Sequence, residues 1–239
     1  MKTRKSAKAK TVKARQRRNA DATRTKILQA AISEFGERGF AAASTDDMAE
    51  RCGVNKRMIY YYYGSKEGLY LAALEAVFEN LVAREREIKI EDLDPDAAIE
   101  AIINLKIDYY LENPHFVSFL SMENFYKARH LRKSKKLASF RAILTDLITG
   151  ILKRGQRSGQ FRADVEPVDF YVSMCALCIM YFSNQHTFGV IFEREMMTRT
   201  NLERRRRTVI DFVLGYLQAP KVIEAAPVGR SRRVVSLAS

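Results

Sequence analysis

Apolar residues recur at three- and four-residue spacing along most of the chain, and strict alternation is nearly missing, so the pattern predicts an all-α protein. The first amphipathic helix covers about residues 22–38, with Ile27, Ala30, Ala31 and Phe35 on its apolar face and Ile32 at the edge. Gly39 is placed to end it, and Phe40 returns to the core. Ser44 or Thr45 suits the N-cap of a short second helix ending at Arg51 or Cys52, with Asp46 and Asp47 in the first turn, where the helix dipole favours acids. Gly53 breaks it, Asn55 caps a third helix over 56–62, and Gly64 stops that one. Ser65 then caps a long fourth helix from Lys66 to about Ile88. Beyond a linker at 92–95, four or five further helices are predicted, near 95–112, 114–127, 133–155, 167–188 and 201–217.

Charge divides the chain. Its 41 basic and 28 acidic residues give a net +13, and nine of the basic residues lie within 1–18, with no acid among them. That block cannot bury a core, so it is expected to be a disordered tail attracted to a polyanion. It reads either as a DNA-binding arm or as a solubilising tail. Residues 219–239, rich in Ala, Val, Pro and Arg, are expected to be a second disordered tail. No apolar run follows the basic N-terminus as in a signal peptide, and the most apolar stretch, 170–182, is too short to cross a bilayer. A cytoplasmic protein without membrane association is expected. Cys52, Cys175 and Cys178 are too few for a disulfide framework, and the Cys175-x-x-Cys178 pair lacks a second pair of ligands for zinc. It reads as buried and structural. No metal, cofactor or catalytic set is expected, since nucleophile–base, P-loop and dinucleotide motifs are missing.

The informative segment runs from Ser44 to Tyr63. A small residue in the first helix (Ala49), a glycine in the turn (Gly53) and packed hydrophobes after it (Val54, Ile59) are what a helix-turn-helix needs. The second helix then offers Lys56, Arg57, Tyr60, Tyr61 and Tyr62 to the major groove of double-stranded DNA. Ser44 and Thr45, at a helix N-terminus, and Lys66, at the start of the fourth helix, are placed for phosphates. Four successive tyrosines cannot all be buried. Tyr63 is expected to pack inside, Tyr60 to be partly buried, and Tyr61 and Tyr62 to be exposed.

These residues carry a resemblance. The span 22–74 is similar to the N-terminal domain of the tetracycline-repressor (TetR) family in A-A-I-S-E-F-G-E-R-G-F, T-D-D-M-A-E-R-C-G-V and I-Y-Y-Y-Y-G-S-K-E-G-L. Where that family usually has His-Phe before Ser-Lys, this chain has Tyr62 and Tyr63. The resemblance implies a helix-turn-helix domain over 19–66 and a helical effector-binding and dimerisation domain over 67–218. The latter most resembles the pyrimidine-catabolism, RutR-like branch. It further implies a dimeric repressor released from a palindromic operator by a small molecule.

The C-terminal half fits that picture. The helix over 167–188 has the apolar face Phe170, Val172, Met174, Leu177 and Tyr181, and that over 201–217 adds Leu202, Val209, Ile210, Val213, Leu214 and Tyr216. Two such helices from each of two chains would make a four-helix interface, or both could complete a monomer core. Tyr109, His115, Phe119, Met122, Glu123, Tyr126, Tyr181 and Gln185 are candidates for an effector pocket, although such a stripe can equally be plain core. A reading of another class remains: a non-specific architectural DNA-binding protein driven by charge.

Overall fold

The computed structural model describes the backbone of residues 2–218 and the side chains of residues 18–218. The second predicted tail, 219–239, lies outside the described residues. Ten helices follow one another: α1 (Lys2–Ala42), α2 (Thr45–Cys52), α3 (Lys56–Tyr63), α4 (Lys66–Glu87), α5 (Pro95–Glu112), α6 (Pro114–Phe125), α7 (Leu137–Arg157), α8 (Pro167–Ser183), α9 (Gln185–Ile191) and α10 (Arg199–Gln218). The described residues contain no strand, and no described helix is long and apolar enough to cross a membrane.

Local chemistry sets most boundaries. The Ser44 hydroxyl accepts from the amides of Asp46 and Asp47, Asn55 accepts from Arg57, and Ser65 accepts from Gly68. The regular helix of α1 is interrupted at Gly39, whose φ of 75° strains any residue with a Cβ. Gly53, with φ of 63°, turns the chain between α2 and α3.

Three boundaries differ from expectation. The basic segment expected to be disordered has helical backbone from Lys2 onward. Lys, Arg, Ala and Gln are strong helix formers, and extending α1 needs no new nucleus. The single helix expected over 167–188 is two, because Asn184 leaves helical geometry (φ −113°) and its side-chain amide donates to the Met180 carbonyl. Helix α7 begins at Leu137, after a short 3-10 turn at Leu131–Lys133.

The core is continuous. Ile27, Phe35, Met48, Ile59 and Leu69 are fully buried around the junction of α1 to α4. In the second half α5 is central, packed against α4, α6, α7, α8 and α10. Side chains of α6 pack directly onto the glycine backbone of α1. A Cβ on Gly36 would collide with the His115 ring, and one on Gly39 would meet Met122 Sδ at 3.0 Å.

Candidate nucleic-acid interface

Helix α3 is held by one buried anchor. Ile59 is fully buried, and Val54, Met58, Tyr62 and Tyr63 pack half-buried around it. Successive residues turn by about 100°, so Tyr62 and Tyr63, three and four places on, cover the face that Ile59 defines. Tyr60 and Tyr61 point away and are 42% and 78% exposed. This corrects the expectation for Tyr60 and Tyr62, whose places are exchanged: Tyr60 is exposed and Tyr62 half-buried, its ring 5.1 Å edge-on to Tyr61. The Tyr63 hydroxyl donates to the Arg24 carbonyl at 2.9 Å, tying α3 to α1, and burial pushes its pKa up.

The remaining candidates are distributed unevenly. Arg57 is exposed near the start of α3. Lys56 is partly exposed and pairs with Asp46 at 2.7 Å, and that hydrogen bond raises its pKa. The Ser44 hydroxyl is engaged as the α2 cap, and Thr45 is buried with its hydroxyl 3.4 Å from that of Tyr60. Thr45 is therefore placed to orient Tyr60. Lys66 donates to the Ala41 carbonyl at 3.2 Å and lies 5.3 Å from the centre of the Phe40 ring. It closes the end of α1 in this arrangement. Below these residues Glu34, fully buried, accepts from the Ser44 amide and pairs with Arg38 and Arg51, fixing α2 against α1.

The eight residues suggested for an effector pocket are not gathered in one place. Tyr109 is buried and its hydroxyl donates to the Val77 carbonyl at 2.8 Å. Burial pushes that phenol up to about 12. His115 and Met122 face α1 at Gly36 and Gly39. Phe119 packs on Tyr70, Glu123 bonds to His130, and Tyr126 flanks the His130 ring. The Tyr181 hydroxyl donates to the Met196 carbonyl at 2.6 Å. Gln185 lines a separate cleft of about 380 Å³ between α6 and α8. The physical reason is that α6 has a second partner: the aromatic stripe faces the helix-turn-helix side of the molecule as well as the bundle.

Two buried polar clusters join residues that the sequence did not bring together, the first around the candidate Glu123. Glu123 accepts from the backbone amides of His130 and Leu131 and lies 2.7 Å from His130 Nδ1, with the His130 ring between Phe40 and Tyr70. Deeper in the bundle, Lys106 of α5 pairs with Glu85 of α4 at 2.5 Å and donates to the Tyr171 hydroxyl of α8 at 2.9 Å. Burial opposes the Lys106 charge, but Cys175, Tyr171 and Glu85 around it outweigh that and hold its pKa well above the usual range. Only phase could have flagged this pair: Glu85 lies four residues after Leu81, and Lys106 four after Ile102, on inward faces. Cys175 and Cys178 are free thiols, and burial raises both pKa values, that of Cys178 to about 12. Among the described residues no His, Cys, Asp and Glu group is arranged to hold a metal ion.

The family profile of bacterial regulatory proteins of the tetR family matches residues 27–73, and that of the tetracyclin repressor-like C-terminal domain matches 95–213. The chain belongs to the TetR family. Among its TetR relatives is the HTH-type transcriptional repressor NicS of Pseudomonas putida, 35% identical over 170 residues, which span 71% of this chain and 80% of that one. The HTH-type transcriptional regulator RutR of Escherichia coli K12 is 31% identical over 142 residues, 58% of this chain and 66% of that one. The solved structure of a tetR-family regulatory protein from Rhodococcus RHA1 shares the fold with a TM-score of 0.64 at 16% identity, over 82% of this chain and 96% of that one. This TetR protein is a DNA-binding transcriptional regulator, and its relatives are regulators rather than enzymes.

Proposed function

We propose that this TetR regulator is a homodimeric repressor that reads a palindromic operator with α3 and releases it when a small molecule binds the helical domain. The observation that carries the DNA contact is the outward pair Tyr60 and Tyr61 beside Arg57, on a helix whose opposite face is locked by Ile59. Tyrosine offers a flat apolar face to a thymine methyl and a hydroxyl to a phosphate, and arginine suits guanine or phosphate. Lys56 serves once its contact with Asp46 opens, and Tyr62 buttresses Tyr61.

Dimerisation is supported by an apolar face that the monomer leaves exposed on α8 and α10, including Val172 at 59% and Phe212 at 67%. Release is supported by the close approach of α6 to α1: with Gly36 and Gly39 against His115 and Met122, α1 has no slack to ignore a shift of α6. An effector favouring a shifted α6 would misspace two recognition helices. The repressive sense follows the named relatives, among them NicS.

Tyr61→Ala is expected to weaken binding to DNA fragments that the protein selects from genomic DNA by roughly 1–3 kcal/mol, measured by gel-shift titration. Unchanged affinity would remove Tyr61 from the DNA-reading surface. Deleting residues 2–18 is expected to flatten the salt dependence, by about 0.9 in the slope of log K against log salt for each phosphate that the segment neutralises. An unaltered slope would leave the basic segment without a role on DNA.

A further inference from the structure

The Glu85–Lys106 pair is odd as a structural element. Both side chains are essentially inaccessible, and Tyr171 and Cys175 complete their surroundings. Lys106 Nζ reaches Glu85 Oε1 at 2.5 Å and the Tyr171 hydroxyl at 2.9 Å, and that hydroxyl also lies 3.5 Å from Oε1. Glu85 Oε2 is sealed from solvent and has no hydrogen-bond partner among the described residues. A buried carboxylate oxygen left without a donor is costly, and a buried ion pair is rarely worth its desolvation for stability alone.

The open valence defines its complement. Lys106 already neutralises Glu85, so a charged guest would disturb a balanced pair. What the site lacks is a hydrogen-bond donor aimed at Oε2. On the far side of Tyr171, between α7 and α8, lies a partly open cleft of about 150 Å³ lined by Arg141, Leu144, Thr145, Ile148, Val168 and Tyr171. At roughly 30 Å³ per water this holds about five waters' worth, the size of a single small ring. Tyr171 is the wall shared by the cleft and the polar cluster. Its phenol, accepting from Lys106 beside Glu85, is a group of the kind that the site would accept from outside.

We propose that the Glu85–Lys106 pair is the recognition centre for the effector, and that it takes a small uncharged ring compound with a phenol-type hydroxyl. This rests on the effector reading given above. The hydroxyl donates to Glu85 Oε2 and accepts from Lys106 as the Tyr171 ring swings aside. Glu85 lies on α4, whose opposite end packs on α1 and α3, so a ligand drawn to this carboxylate bears directly on the helix that carries the DNA-reading unit.

The test is isothermal titration of the full chain with phenol, with anisole, which keeps the ring and loses the donor, and with benzoate, which adds a charge. Phenol is expected to bind about tenfold or more tightly than either. Glu85→Gln is expected to lose that preference. Because it leaves Lys106 unpaired, Glu85→Gln/Lys106→Met, with its fold checked by circular dichroism, is measured beside it and should also bind phenol and anisole alike. Anisole or benzoate matching phenol, a preference retained in the double variant, or no phenol binding at millimolar concentration overturns the proposal. A preference for phenol without any change in affinity for selected DNA keeps the site and removes effector release. Absence of the preference removes the site and leaves release untouched.

Discussion

Lys106→Met is expected to destabilise the protein by about 3–5 kcal/mol. Methionine keeps much of the lysine volume, so little cavity is created and the loss reports on charge. It leaves Glu85 fully buried with one oxygen already unpartnered and the other stripped of its 2.5 Å ammonium partner. The Tyr171 hydroxyl, 3.5 Å from Oε1, is too weak a donor to replace it. Urea unfolding should show a lower midpoint at an unchanged slope. Adding Glu85→Gln to Lys106→Met should recover most of the loss, since no charge is then stranded. A loss below about 1 kcal/mol for the single variant would put it in the range of an exposed pair and show that water reaches Glu85.

That pair also marks the limit of what the sequence discloses. Glu85 and Lys106 sit 21 residues apart on different helices, and helical phase, which puts each on an inward face, does not say that they meet. Only the packing of α4 on α5 joins them. By contrast, Ser44, Asn55 and Ser65 cap helices through hydrogen bonds to residues two or three places away, so these boundaries were legible. The recognition helix was legible in position and less so in phase. Four consecutive tyrosines offer no polar contrast, and the inward direction is set by Ile59, which fixes Tyr62 half-buried and Tyr60 exposed. The aromatic stripe of α6 misled for another reason. A helix wedged between two parts of a molecule looks from its sequence like the wall of a pocket, and His115 and Met122 in fact meet glycines of α1. The split between α8 and α9 turns on one residue, Asn184, whose helix propensity alone is too weak a signal.

Phe212→Glu is expected to convert the protein to a monomer at micromolar concentration and to abolish stable operator binding. Phe212 is 67% exposed on α10, where it and Tyr216 line a cleft with Phe170, Ser173 and Leu177 of α8. Tyr216 is held by stacking on Phe170 at 6.3 Å and by the Arg162 guanidinium 5.0 Å from its ring, so the face is presented on a rigid base. An aromatic residue at the centre of such a patch is the kind that carries about 2 kcal/mol or more on truncation, and a carboxylate adds the desolvation of a charge. In a two-fold interface each substitution acts twice, so a loss of about 4 kcal/mol, nearly a thousandfold in dimer affinity, is a conservative figure. DNA binding falls with it because one α3 reads only one half-site. Sedimentation velocity and gel shift on the same preparation check both effects. The fold should be untouched, since the side chain contributes little to the monomer core. Phe125→Glu is the control: Phe125 is more exposed still, at 81%, but it lies at the end of α6 in a cleft against residues 36–42 of α1, and should leave the dimer intact. A Phe212→Glu protein that remains dimeric with full operator affinity would move the interface off this face. Dissociation by Phe125→Glu instead would place it beside α6.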